Sequence, residues 1–212
     1  MIYETYTAGS FGCNAVLLGD KLSGQAIIVD PGDAVEETLA RLKKHGLKAV
    51  AIVHTHAHVD HTMGSARLSE LTGAPTYLHQ GDAHLHSCMD VQALEMGIRL
   101  AVSTPMDKVL KDNDCLTFGR YQLGVLHTPG HTPGSVCLMV PSQSLCLTGD
   151  TLFKGGIGRT TLWGGEPETL VKSIKDRLYE LHGSVKILPG HGEISTIDYE
   201  RCTNPYVRKR VW

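Results

Sequence analysis

The segment His54-Thr55-His56-Ala57-His58-Val59-Asp60-His61 follows directly on the apolar run Ala49-Val50-Ala51-Ile52-Val53. His56, His58, Asp60 and His61 crowd imidazoles and a carboxylate into a few positions, a borderline-soft to hard donor set. Such a set suits zinc, iron or manganese rather than calcium or copper(I). A polar loop with accidental histidines is the plain alternative. The placement speaks against it, because irregular backbone at the mouth of a rigid strand can converge several side chains on one point.

Three more loops repeat the arrangement. His127-Thr128-Pro129-Gly130-His131-Thr132-Pro133-Gly134-Ser135 follows a run ending at Leu126, Thr148-Gly149-Asp150-Thr151 follows Ser144–Leu147, and Pro189-Gly190-His191-Gly192 follows Lys186–Leu188. In each, an apolar run ends, glycine or proline turns the chain, and a His or Asp sits in the turn. Four such loops at one end of a sheet system make a site.

The elements that must carry these loops read as mixed α and β. Ile2–Thr7, Asn14–Leu18 and Gln25–Asp30 form a meander of strands. Asp33 is expected to cap a helix with Glu36 and Glu37 in its first turn, Val35, Leu39 and Leu42 on its apolar stripe, and Gly46 at its end. Lys48–Val53 is a buried strand, a helix is expected from Asp60 or His61 to Leu71, and Thr76–His79 is another strand. Residues 80–115 are the least regular, with helical character near Val91–Leu100 and a loop around Pro105. Strands follow at Tyr121–His127, Ser135–Val140 and Ser144–Thr148. Leu170, Ile174, Leu178 and Leu181 then space the buried face of a helix that begins near Pro167 and ends at Gly183. Lys186–Leu188 is a last strand before an irregular tail.

The chain has 212 residues, 42% hydrophobic and 20% charged, with a formal net charge of −2. That composition fits one globular domain, residues 1–212, with helices covering sheets. It supplies no basic field for nucleic acid. No apolar run is long enough to span a membrane, and the N-terminus lacks the charged and apolar regions of a signal peptide. Six scattered cysteines without a CxxC pair read as reduced thiols, so a cytoplasmic location is expected. Among the twelve histidines, His54 and His127 read as supporting residues rather than ligands, and His79, His84 and His86 as surface or rim residues. Arg208, Lys209 and Arg210 read as a solvated basic tail. Oligomeric state is left open.

Taken in order, THxHxDH, TPGHTPGS, GDTLFxGGxGR and PGHG resemble the metallo-β-lactamase superfamily, and within it the glyoxalase II (hydroxyacylglutathione hydrolase) branch, over residues 25–195. The resemblance implies an α/β fold, an αβ/βα sandwich of two mixed sheets flanked by helices, in a short single-domain form without the C-terminal helical domain of full-length relatives. It implies two divalent metal ions, zinc first and iron or manganese next. His56, His58 and His131 would hold one ion, Asp60, His61 and His191 the other, and Asp150 would bridge them. Asp30 would orient the histidine loop from beneath, and Arg159 would contact the substrate. The implied activity is hydrolysis of a small-molecule acylthiol such as S-lactoylglutathione by a hydroxide shared between the metals, with Asp60 orienting it. Persulfide dioxygenases, mononuclear iron oxidoreductases of the same fold, and lactone or ester hydrolases are the alternatives. β-Lactamases of the commonest zinc type differ, with a cysteine where Asp150 stands.

Overall fold

A computed structural model of the chain describes residues 1–9, 11–97 and 106–208. Strands β1 (Ile2–Ala8), β2 (Cys13–Asp20) and β3 (Gln25–Val29) form an antiparallel meander. Helix α1 (Val35–His45) returns the chain to β4 (Lys48–Val53), which pairs parallel with β3. After α2 (Val59–Thr62) and α3 (Ser65–Thr72) comes β5 (Thr76–His79). After α4 (Ala83–Ser87) and α5 (Met89–Glu95) comes β6 (Lys108–Leu110), and both strands add in parallel. The first sheet is thus ordered β1-β2-β3-β4-β5-β6.

The second sheet uses β7 (Cys115–Phe118), β8 (Tyr121–His127), β9 (Val136–Val140) and β10 (Leu145–Gly149). A small hairpin, β11 (Leu152–Phe153) and β12 (Gly156–Ile157), leads to α6 (Pro167–Ser173), which runs on through a π-helical turn to Leu178. Then come β13 (Lys186–Pro189), β14 (Ser195–Thr196) and α7 (Ile197–Thr203), giving the order β14-β13-β10-β9-β8-β7.

Period-two alternation sorts the strand residues between two faces. Val16, Leu18, Ile27, Val29, Ala51 and Val53 meet Leu123, Val125, Leu138, Val140, Leu145, Leu147 and Leu188 between the sheets. The opposite face of the first sheet, with Ala15, Leu17, Ile28 and Ile52, packs on Leu42 of α1 and Leu68 of α3. That of the second, with Cys137, Cys146 and Ile187, packs on Leu170, Ile174, Leu178 and Ile197. Four layers result, αβ/βα, as the sequence predicts. With both faces covered, central strands carry unbroken apolar runs, which is why Ala49–Val53 shows no polar alternation.

β8, β10 and β13 run in the same direction, because β9 is antiparallel to both β8 and β10 while β13 is parallel to β10. Their C-terminal ends, and the loops with His131, Asp150 and His191, therefore open on one edge of the sandwich.

Several local expectations change. Asp33 does not cap α1: Ala34 holds the cap position without a side-chain bond, after a turn in which Ala34 N–H donates to Pro31 O. The helix expected from Asp60 or His61 to Leu71 is broken at Met63–Gly64. Gly64 N–H donates to Gly32 O at 2.7 Å, and a Cβ there would sit 2.4 Å from that oxygen, so the break is where two loops touch. α5 begins at Met89, and the rest of the expected helix beyond Gly97, with Pro105, lies outside the described residues, as do Lys209 and Arg210. The tail is not irregular, since it contains β14 and α7. Among the described residues no helix is long and apolar enough to cross a membrane.

Candidate metal centre

The loop after β4 is held from below by Asp30, a buried residue in the left-handed backbone region at φ +46°. Asp tolerates that conformation, and a strained residue kept in place by its surroundings often marks a site. Asp30 accepts hydrogen bonds from Thr55 N–H (2.8 Å) and Thr55 Oγ1–H (2.6 Å), and it lies 3.1 Å from His61 Nδ1.

These contacts fix which ring nitrogens carry protons. Thr55 Oγ1 gives its proton to Asp30, so it can only accept from His56 Nδ1, 3.0 Å away. His131 Nδ1 lies 2.8 Å from the Arg159 carbonyl, which only accepts. With Nδ1 protonated in both, His56 Nε2 and His131 Nε2 are left as lone pairs. Both face His58 Nδ1, at 3.1 and 2.9 Å. His58 can donate to one of them at most, and its own Nε2 is buried with no hydrogen-bond partner among the described residues. Nitrogens about 3.3 Å apart are what a tetrahedral zinc site with 2.0–2.1 Å bonds requires. The trio is one that could hold a metal ion.

A second trio stands beside it. Asp30 next to His61 Nδ1 leaves His61 Nε2 facing outward, 3.3 Å from His191 Nε2, and His191 Nε2 lies 3.2 Å from Asp60 Oδ2. Asp60, His61 and His191 likewise could hold an ion. Asp150 lies between the trios, with Oδ1 3.6 Å from His61 Nε2 and Oδ2 3.7 Å from His131 Nε2 and 3.9 Å from His191 Nε2. Oδ1 is buried without a hydrogen bond. A carboxylate reaching both trios with one oxygen orphaned is the fit expected of a group shared by two cations. The close approach of the last loop depends on Gly190, where a Cβ would fall 2.3 Å from Asp150 Oδ1.

Charge follows the same division. Burial drives the His56 imidazole well below its ordinary range and His58 to about 3, with neighbouring imidazoles adding to the effect. Burial also lowers His131, against the pull of Asp150. His61 goes the other way: burial opposes its charging, but the Asp30 and Asp60 carboxylates raise it well above the ordinary range. His191 is raised against burial by its bond to Asp60. Asp60 is held at about 2, its burial outweighed by His61 and His191.

All seven residues expected as ligands are therefore brought together, and Asp30 lies under them. Arg159 is exposed, and its cation is near enough to disfavour protonation of His58. His54 donates to or accepts from Ser65 Oγ at 2.9 Å and His127 contacts the Pro133 carbonyl at 3.0 Å, so neither joins the cluster. His79 and His86, expected at the surface, are buried, and His79 stacks on His127 with centroids 4.1 Å apart.

Sequence reasoning missed three supports. Asp82 accepts from Ala57 N–H (2.9 Å), Thr132 Oγ1–H (2.7 Å) and Gly134 N–H (2.6 Å), tying two ligand loops together. Gln92 accepts from Val59 N–H at 3.1 Å and donates to Ala57 O at 3.2 Å. Cys13 Sγ lies 3.3 Å from His61 Nδ1, and burial pushes its thiol up to about 11, so it stays neutral there. None carries a motif; a buried acid such as Asp82 in an irregular stretch is visible only through its partners.

Comparison with known proteins agrees with this geometry. Residues 8–191 match the metallo-beta-lactamase superfamily. The chain is 31% identical to the hydroxyacylglutathione hydrolase GloC of Haemophilus influenzae, over 99% of this chain and 100% of that one. It is 34% identical to the mitochondrial persulfide dioxygenase ETHE1 of Bos taurus, over 89% of this chain and 69% of that one. Among solved structures, the B3 metallo-beta-lactamase BLEG-1 superposes with a TM-score of 0.89 at 32% identity, covering 97% of this chain and 99% of that one. TTHA1623 in a di-iron-bound form gives 0.87 at 36% identity, covering 96% and 99%.

Proposed function

The chain belongs to the metallo-beta-lactamase superfamily, whose members bind divalent metals, often two, and from that premise we propose that it is a binuclear metal-dependent hydrolase of acylthiols such as S-lactoylglutathione. The observation that carries the reading is the completeness of the second trio, Asp60, His61 and His191, beside the first, with Asp150 reaching both. His56, His58 and His131 would hold one ion and Asp60, His61 and His191 the other. When bound, such a pair supplies a water of lowered pKa and a Lewis acid for the substrate carbonyl.

The chain's own residues do the rest. His56 and His131 keep their lone pairs turned inward because Thr55 and the Arg159 carbonyl take their Nδ1 protons. Asp60, ionised at ordinary pH, orients the attacking water and takes its proton at the carboxylate. The water oxygen forms the new bond to the acyl carbon, the C–S bond breaks, and the thiolate departs with the electron pair. A thiol leaves well enough that no separate general acid is needed. Arg159, exposed beside the centre through the segment whose carbonyl accepts from His131, would supply a cation for an anionic thiol portion.

Identity to ETHE1 supports a second reading, a mononuclear iron persulfide dioxygenase. Metal analysis of the purified protein, followed by parallel assays of S-lactoylglutathione hydrolysis and oxygen uptake with glutathione persulfide, separates the two. Two ions per chain with hydrolysis is the expected result. One iron per fully loaded chain with oxygen uptake moves the assignment to the dioxygenase.

A further inference from the structure

Beside the first trio lies a cavity of about 170 Å³, lined by Leu85, Cys88, Val91, Pro133 and Trp163 together with Gly81, His84, Gln92 and Gly164. Most of its lining comes from residues 81–92, and three of its residues adjoin the metal centre. The Trp163 ring meets the His58 ring edge-on with centroids 6.4 Å apart, Pro133 follows His131 in its loop, and Gln92 grips the backbone on both sides of His58. The segment bearing Trp163 is anchored at Glu166, whose N–H donates to Gly130 O at 2.8 Å, so the indole is fixed to the His131 loop. The polar groups at the walls are largely spent: Gln92 bonds Ala57, Val59 and Leu85. What remains toward the space is hydrocarbon, indole, a thiol and the exposed His84 imidazole, and α5 leaves Val91 and Leu94 exposed at 47% and 80%.

We propose that this cavity is the subsite for an apolar acyl group, so that among acylthiols the thioesters of aliphatic or aryl acids are turned over faster than S-lactoylglutathione. The proposal rests on the hydrolase reading above and names its substrate class. Trp163 is the shared wall: its indole lies beside the His58 ring and also lines the cavity, so an acyl chain with its carbonyl at the His58 side would run along that indole to enter. A dry apolar cavity of about 150 Å³ holds a benzene-sized group, so this one takes a chain of about six carbons or a phenyl ring. Arg159, on the same segment, remains for the anionic thiol end.

Two measurements test this independently. For metal-loaded protein, kcat/KM along acetyl, butanoyl, hexanoyl and phenylacetyl thioesters of one thiol should rise at least about tenfold from acetyl to hexanoyl. Cys88→Phe, or Val91→Phe from the exposed rim, should lower the hexanoyl-to-acetyl ratio by a similar factor. In a Trp212→Phe background, where Trp163 is the one tryptophan left, 6-bromohexanoate should quench its fluorescence saturably in metal-free protein, and Cys88→Phe should abolish that quenching. A flat acyl series with no saturable quenching overturns the subsite and leaves the hydrolase reading intact. Saturable quenching without hydrolysis of any acylthiol overturns the hydrolase reading and keeps the cavity as an apolar ligand site.

Discussion

Replacing Asp150 and replacing His61 probe different parts of the proposed centre. Asp150 offers one oxygen toward His61 and the other toward His131 and His191, whereas His61 offers a single free nitrogen to the second trio. Asp150→Ala should therefore weaken both metal sites, and His61→Ala chiefly one. Loss of a direct ligand should cost at least the roughly 10–100-fold known for groups one contact further out. Zinc titration of each variant decides it, and two wild-type affinities in Asp150→Ala would remove the shared role. The raised pKa of His61 and of His191 adds a second expectation, because an imidazole must be deprotonated to ligate. Zinc binding near neutral pH should release protons and weaken as pH falls, which calorimetry in buffers of different ionisation enthalpy reads directly. At this scale the sequence shows the ligand types, because histidines and aspartates crowd into turns. Thr55, Asp82 and Cys13 stay hidden, because a hydroxyl, a lone acid or a thiol gains its role only from the atom it meets in space.

At the scale of elements, the ligand loops are positioned by neighbours far along the chain. Asp82, in the turn between β5 and α4, holds Ala57 of the first loop and Thr132 and Gly134 of the second. Asp82→Ala strands the two buried N–H donors at about 1–3 kcal/mol each, while Thr132 Oγ1–H can turn to Ser135 Oγ, 2.7 Å away. Unfolding in urea should show a loss of about 2 kcal/mol or more, with partial recovery in Asp82→Asn; a loss below about 1 kcal/mol contradicts the role. On the opposite side of the first sheet, Glu4 of β1 accepts from His45 (2.7 Å), Arg41 (2.6 Å) and Lys44 (3.0 Å) of α1. His45 foremost, then Arg41 and Lys44, hold Glu4 at about 2 against an ordinary 4.5. A lowered folded pKa means the stabilisation is present above about pH 4.5 and is lost as pH falls toward 2. The stability gap between wild type and Glu4→Gln, of the order of 1 kcal/mol for a partly exposed network, should therefore close across that window. Strands and α1 were legible from apolar runs and a glycine stop. The break before α3 was not, because Gly64 serves a contact with Gly32 rather than local propensity. Nor was α7, whose anchor is polar: buried Glu200 accepts from Gly155 N–H at 2.8 Å and Asn204 Nδ2 at 2.9 Å, and so leaves no apolar period to read.

For the molecule as a whole, the question is whether the metals hold the fold or only its edge. The packed layers between and outside the sheets draw on none of the seven proposed ligands. Chelated protein should accordingly keep its circular dichroism. The four loops are another matter, since they crowd the ring nitrogens of His56, His58 and His131 at 2.9–3.1 Å and those of His61 and His191 at 3.3 Å, contacts that a cation would satisfy. A ligand that binds only the folded state at a hundred times its Kd stabilises by about 2.7 kcal/mol. In a chain of this length that corresponds to roughly 5–10 °C in Tm for a single ion. Zinc should raise Tm by at least that much near pH 7.5, and the increment should shrink as pH is lowered and protons compete for His61 and His191. If the chelated chain loses its β-sheet dichroism, the sandwich depends on its metals. If Tm does not respond to zinc at any pH, the converging imidazoles and carboxylates are not a metal centre, and Asp30, Asp82 and Thr55 orient them for something else.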